Sequence, residues 1–319
     1  MHTATPSLSP TDFDVIVVGG SYAGLSAATQ LARARRRVLV IDAGQRRNRY
    51  VKYSHGVLGQ AGREAAQIAA EGKAQLLKYP TVRWIDGAAT QARALAEPGG
   101  QQAPHGAQGY RVSLGDGRAF DAQCLVLATG VVDELPAIPG LAERWGSSVF
   151  HCPYCHGYEL MEGRIGVLAV DALSMHHALM LPDWGQVTLF LNGAFEPDAT
   201  QLAALAARGV TIERPAVRAI SSTATVELAD GRALAMAGLF VVSRTHSASP
   251  LADQLGCDVD EGPTGMVVRT DAMKATSVAG VFACGDAARM TGNVALAVAD
   301  GVLAGVGAHR QVMFGAVAA

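Results

Sequence analysis

Between Phe13 and Asp42 the chain reads FDVIVVGGSYAGLSAATQLARARRRVLVID, a segment that few folds accept. Val15 to Val18 form an apolar run without alternation, the pattern of a parallel strand buried on both faces. Glycines follow, then an Ala-rich stretch of helical composition, then a second apolar strand that stops at Asp42. Strand, glycine turn, helix and parallel strand make one right-handed βαβ unit, whose helix N-terminus offers N–H groups to an anion. Gly19 permits the tight turn, Gly24 lets helix approach strand closely, and Asp42 falls where an acid accepts adenosine ribose hydroxyls. The middle glycine of the GxGxxG spacing is replaced by Ser21, with Gly20 beside it. The segment therefore predicts a dinucleotide site lined by Gly19, Gly20, Ser21, Ala23, Gly24 and Asp42. The basic run Arg33 to Arg37 reads as a solvated helix C-terminus favoured by the macrodipole.

The chain has 319 residues, half of them apolar, enough for one large domain or two of ordinary size. Its formal charge is -2 and its basic residues are scattered, which argues against nucleic acid or an acidic membrane as partner. The stretch MHTATPSLSPTDFD lacks the features of a secretion signal and reads as a short disordered tail, and the uncharged run from Val15 to Ala32 is too interrupted for a membrane span. A cytoplasmic location is expected. Five cysteines are too few for a disulfide scaffold, so CxxC within HCPYCHGYE, residues 151 to 159, points to redox or metal chemistry. A structural zinc site wants a second pair of ligands, whereas Cys124, Cys257 and Cys284 are isolated; they read as buried packing, and no metal is expected.

Two further segments carry a resemblance. TSVAGVFACGDAARMTGNVALAVADG holds Gly285, Asp286, Asn293 and Val294 in an arrangement that resembles the second FAD motif of two-dinucleotide-binding flavoproteins. CLVLATGVVDELPAIPG, with Thr129 and Gly130, resembles their ATG crossover. CPYC follows at the place where low-molecular-weight thioredoxin reductases carry their redox disulfide, and residues 12 to 315 resemble that family. The resemblance implies an α/β fold with two Rossmann-like three-layer domains of the thioredoxin reductase type. The FAD-binding domain would comprise residues 1–144 and 250–319, and a degenerate NADPH-type domain carrying the CxxC would comprise 145–249. By the same resemblance Cys155 faces the flavin and Cys152 the substrate, FAD is the cofactor, and the protein is a homodimer. The CxxC spacing lets the sulfurs meet at a helix N-terminus, whose dipole lowers a thiol pKa. His156 stands where the reductases have an acid/base aspartate, so a neutral or cationic imidazole is expected to carry the proton. His151 either helps deprotonate an incoming thiol or simply enters the helix. In QRRNRYVKYSHG, Arg47, Asn48 and His55 are candidates for flavin contact or for an ordinary loop, and EPGGQQAPHGAQG reads as a surface loop.

The chain departs from the reductases after its CxxC. In RIGVLAVDALSMHHALMLPDWGQVTLFLNG, Ala169, Val170 and Asp171 replace the glycines of the NADPH loop, and Leu191, Asn192 and Gly193 stand where the reductases offer charge to a 2'-phosphate. His176 and His177 on the following helix read as ordinary surface or core residues. A redox dithiol without an entrance for NADPH suits electron flow from a dithiol to O2. The motif set resembles the thioredoxin-reductase-like oxidases that close disulfides in gliotoxin, holomycin and romidepsin- or thailandepsin-type natural products. The expected activity is FAD-dependent oxidation of a small-molecule dithiol, a depsipeptide by preference, with release of H2O2. An NADPH-dependent disulfide reductase and a non-catalytic flavin redox sensor are the alternatives.

Overall fold

The computed structural model describes residues 13–95 and 109–315; nearly all of the tail and of the Pro/Gly/Gln-rich loop read from the sequence lie outside the described residues. Two compact units emerge. The first comprises the chain up to Arg47, Gln67–Val132 and the chain from His246, and the second comprises Asn48–Ala66 and Asp133–Thr245. The chain thus passes between units about twelve residues before the expected first boundary and about four before the second, and Asn48–Ala66 joins the CxxC unit.

The first unit is built on a seven-stranded sheet. Its parallel part runs Val82–Asp86, Val38–Asp42, Phe13–Val18, Ala119–Leu127, with Val281–Ala283 also parallel to Ala119–Leu127. Tyr110–Leu114 and Ala89–Ala94 extend it as antiparallel strands. All six residues of Phe13–Val18 are buried, as a strand covered on both faces requires. Val15, Val17, Val38 and Val40 pack against the helix Tyr22–Arg33 and the C-terminal helix Val294–Phe314, while Ile16, Leu39 and Ile41 face Tyr110, Leu114 and Leu251.

Small residues let the two helices cross at backbone contact. A Cβ on Gly301 would strike the carbonyl of Ala23, and one on Gly305 would sit 2.6 Å from the carbonyl oxygen of Ala27. Ser26 Oγ donates to the Val298 carbonyl at 2.8 Å across the same crossing. Beside Gly301, Asp300 is fully buried and paired with Arg289 at 2.6 Å and Lys274 at 3.1 Å. Burial works against its charge, but the two cations prevail and hold the carboxyl below its ordinary range.

The second unit has a five-stranded parallel sheet in the order Val149–Phe150, Gly238–Val241, Arg164–Leu168, Gln186–Phe190, Thr211–Glu213. One face packs on Met175, Ala178, Leu181 and Leu205 from helices; the other packs on Val217, Ile220, Val226 and Leu228 from a three-stranded antiparallel meander. Helices, parallel sheet and meander are the three layers expected of a nucleotide-type domain. No described helix is long and apolar enough to cross a membrane.

The helix crossing leaves no room for a side chain at Gly301. Gly301→Val is expected to lower unfolding stability by about 2–3 kcal/mol through overpacking against Ala23, read as a fall in the urea midpoint; an unchanged midpoint would show that the helices can separate freely.

Candidate active site

Four loops leave the parallel strands of the first sheet at their C-terminal ends, the edge at which open α/β sheets bind ligands. After Phe13–Val18, Gly19 adopts φ +103° and has no room for a side chain, because a Cβ there would meet the Ala128 carbonyl. A Cβ on Gly20 would collide with the Trp84 ring, and one on Gly24 with the Gly19 carbonyl. The helix that follows carries Ala23, buried, in its first turn; Ser21 makes no side-chain cap and no acid stands there, so an anion would meet the N-terminal dipole without competition. Asp42 ends the next strand and accepts a hydrogen bond from the Gly20 N–H at 3.0 Å, which ties the acid to the loop. Thr129 and Gly130 leave the third strand; Gly130 has φ +69° and open space where a Cβ would stand. Gly285, φ +67°, and Asp286 leave the fourth.

Asp286 is fixed from two sides. Arg47 Nη1 meets its Oδ2 at 2.9 Å, and its other oxygen occupies the space a side chain on Gly292 would take. Asn293 then caps the C-terminal helix, accepting the Leu296 N–H at 2.8 Å, and Val294 is its first residue. Ribose-directed acids, a helix N-terminus and strand-end glycines form one donor set that fits a dinucleotide. Arg47 belongs to this set through Asp286, whereas Asn48 and His55 fall in the second unit.

In the second unit, Cys152 and Cys155 form a disulfide with a Cα separation of 5.3 Å. Cys152 is the N-cap of a helix only four residues long, Pro153–His156. One turn carries little macrodipole, so the helix-dipole activation expected from the CxxC spacing is small here. The local charge and aromatic groups matter more. His156 stacks on Phe150, with centroids 4.2 Å apart and planes at 11°. Both of its ring nitrogens are buried, with the Cys152 backbone as a polar neighbour. Burial first, then the nearby His55, pushes its pKa down to about 4, so the imidazole is neutral at physiological pH. Of the two protonation states expected from the sequence, the oxidised protein holds the neutral one. His55 in turn faces Glu159, Nδ1 to Oε1 at 3.2 Å. His151 lies against Trp145 at 5.8 Å between centroids. His177 is buried against Phe240 and its pKa is pushed down to about 4, chiefly by burial, while His176 is exposed. Cys124, Cys257 and Cys284 are buried, and burial pushes the thiols of Cys124 and Cys284 up to about 12.

The loop after Arg164–Leu168 is closed by its own residues. The Ala169 N–H donates to the Phe190 carbonyl at 2.9 Å, and the Val170 N–H donates to Ser174 Oγ at 3.1 Å. Asp171 Oδ1 accepts the Leu173 N–H at 2.9 Å, and its backbone carbonyl accepts the Ser174 N–H at 3.1 Å. The Ala169 bond has its counterpart in the first unit, where the Gly19 N–H donates to the Ile41 carbonyl at 2.8 Å; the difference lies in Val170 and Leu173, whose N–H groups are taken by side chains of their own loop, one of them a carboxylate. At the end of the next strand Leu191 is buried and Asn192 turns its Oδ1 to the Val217 N–H at 2.8 Å. The sequence showed the missing glycines but not Ser174, whose hydroxyl completes the closure; a serine one turn after a strand end is its only signal.

Among the described residues no group of three or more His, Cys, Asp and Glu is placed to hold a metal ion. The sequence model of the pyridine nucleotide-disulphide oxidoreductase family matches residues 13–301. Thioredoxin reductase tcpT of Claviceps purpurea (strain 20.1) is 35% identical over 317 residues, 94% of each chain. Thioredoxin reductase sirT of Leptosphaeria maculans is 31% identical over 322 residues, 95% of each chain. Among solved structures, an oxidoreductase from Agrobacterium tumefaciens gives a TM-score of 0.88 at 53% identity, covering 95% of this chain and 99% of that one. HlmI gives 0.87 at 34% identity, covering 94% and 92%. Strand-end glycine loops, a CxxC disulfide and relatives matched along nearly the whole length agree: this chain belongs to the pyridine nucleotide-disulphide oxidoreductase family, as a thioredoxin-reductase-like oxidoreductase with a redox disulfide.

Proposed function

We propose that this protein is an FAD-dependent dithiol oxidase that forms an intramolecular disulfide in a small molecule and passes the electrons to O2. The observation that carries the reading is the nucleotide loop of the second unit, whose Val170 and Leu173 N–H groups are engaged by Ser174 and Asp171 of the loop itself while the Cys152–Cys155 disulfide is retained. The family typically uses FAD, and Gly19–Gly24, Asp42, Thr129, Gly130, Gly285, Asp286 and the N-terminus at Val294 would hold it. Bound there, the flavin supplies a two-electron acceptor for the cysteine pair and a donor for O2, which leaves as H2O2.

The thiol steps follow from exchange chemistry. A substrate thiolate attacks Cys152 Sγ; a substrate–Cys152 bond forms, the Cys152–Cys155 bond breaks, and Cys155 leaves as a thiolate. The second substrate thiol, once deprotonated, attacks the substrate sulfur of the mixed disulfide and expels the Cys152 thiolate. The substrate has lost two electrons and two protons, and the cysteine pair has gained the electrons. His156 is the proton acceptor in this scheme: neutral, buried and adjacent to Cys155, it is a base as long as the disulfide is closed. A new thiolate beside it favours the imidazolium, so proton uptake and disulfide opening reinforce each other. The location we assign is cytoplasmic and the assembly a homodimer. The relatives called thioredoxin reductases favour a second reading, reduction of a protein disulfide with NADPH.

Three outcomes test these assignments. In anaerobic stopped-flow, a small dithiol is expected to bleach the flavin and air to restore it with release of H2O2, whereas NADPH and NADH leave it yellow; fast, saturable bleaching by NADPH would restore the reductase.

After chemical reduction, limiting iodoacetamide should label Cys152 before Cys155 in peptide mass spectra, and Cys152→Ser and Cys155→Ser should each abolish dithiol-driven bleaching. Preferential labelling of Cys155 reverses their roles.

For the pH dependence, the His156 pKa of about 4 keeps the base available well below pH 6.5. The bleaching rate, expressed per substrate thiolate, should therefore stay level from about pH 8 to 5 and fall only as pH approaches 4, and His156→Gln should lower it about 100-fold. A break near 6.5 in the wild type would show an imidazole of ordinary basicity.

A further inference from the structure

Six residues past Cys155 the backbone does something its side chains disfavour. Leu160 to Gly163 form a tight turn, closed by the Gly163 N–H on the Leu160 carbonyl at 3.0 Å. Met161 has φ 55° and Glu162 φ 56°, so both central residues are left-handed. That is the type I′ geometry, which Asn-Gly fills without strain and which Met-Glu fills against the steric preference of an L residue with a long side chain. Gly185 packs closely behind the turn: a Cβ there would meet the Gly163 carbonyl and stand 3.2 Å from the carbonyl carbon of Glu162. Strain of this kind persists where the surroundings impose it, and it often marks a site at which a side chain must be presented.

What the turn presents is Met161, 82% exposed, next to Tyr158 at 81%. Tyr154, between the two cysteines, is 73% exposed and braced edge-on against Trp184 at 5.3 Å. Three large side chains that burial would stabilise thus stand in solvent on the segment that carries the disulfide. The intervening carboxylate, Glu159, is engaged by His55. A polarizable thioether on a flexible stem and two phenol rings suit contact with apolar groups of varied shape.

We propose that Met161, Tyr158 and Tyr154 recognise apolar substituents of the dithiol substrate, and that the strained turn at Met161–Glu162 is kept to hold Met161 out for that contact. The inference rests on the dithiol oxidase reading. Met161 is a specificity-determining residue, and it takes no part in the sulfur chemistry.

The probes are butane-1,4-dithiol and dithiothreitol, which share a carbon chain and reactive thiols and differ by two hydroxyl groups. Oxygen consumption by the FAD-loaded protein gives kcat/KM for each. Met161→Asn and Tyr158→Ser are expected to lower the butanedithiol-to-dithiothreitol ratio of kcat/KM about 5–10-fold, through KM of the apolar substrate. Met161→Asn and Glu162→Gly should each raise the melting temperature by about 2 °C through relief of the turn. Glu162→Gly should leave the ratio where it is, which separates strain from recognition. A ratio unmoved by Met161→Asn and Tyr158→Ser, with both dithiols still oxidised, overturns the inference and leaves the oxidase reading standing. If those variants instead convert a dimer to a monomer in sedimentation at constant ratio, the patch is a subunit interface and the inference fails. If neither dithiol bleaches the wild-type flavin, the oxidase reading falls and takes this inference with it.

Discussion

Backbone meets backbone along one line through the first unit. The Ala128 carbonyl stands where a side chain on Gly19 would be, the Gly19 carbonyl where one on Gly24 would be, and the Ala23 carbonyl where one on Gly301 would be. Two strands and two helices are locked together by the absence of three β-carbons. Everything proposed for the cofactor depends on this line, because it fixes the helix N-terminus at Tyr22 against the strand ends and brings Ala23 beside Gly285. Packing of this kind tolerates no methyl group, unlike an apolar core that accepts many combinations of similar volume.

The second unit keeps the same parallel architecture and gives its strand-end N–H groups a different fate. In the first unit the Gly20 N–H is held by Asp42 from the neighbouring strand; here Ser174 and Asp171 take the Val170 and Leu173 N–H groups from within the loop itself. A backbone donor satisfied by a side chain of its own loop has less to offer a ligand. The same unit carries the Cys152–Cys155 turn, with Phe150 at the end of the edge strand supplying the surface on which His156 rests.

The parts of this protein that were legible in its sequence are those determined by neighbours in the chain. The strand Phe13–Val18, the glycine turn, Asp42 at a strand end and the CxxC all follow from local pattern, and the parallel topology follows from repeating it. The chain passes between units near Val132, about twelve residues before the boundary expected from the sequence, inside the strand Val131–Glu134 that follows Gly130. Long-range pairs were invisible for a plainer reason. Arg47 and Asp286 are 239 positions apart, and nothing in either neighbourhood names the other. Asp300 did leave a trace, as the lone acid in VALAVADGVLAG, where a buried charge demands cations such as Lys274 and Arg289. The neutral state of His156 depends on enclosure, a property of the folded surface that no spacing encodes.

Cys124, Cys257 and Cys284 gain a meaning beside this chemistry. Hydrogen peroxide attacks thiolates far more readily than thiols, and an oxidase of the kind proposed would make its peroxide within reach of its own polypeptide. Three bystander cysteines, each sealed in the core of the first unit and two of them with a pKa of about 12, have almost no thiolate to offer. The same burial that packs the sheet therefore shields these three thiols from peroxide, whatever its source.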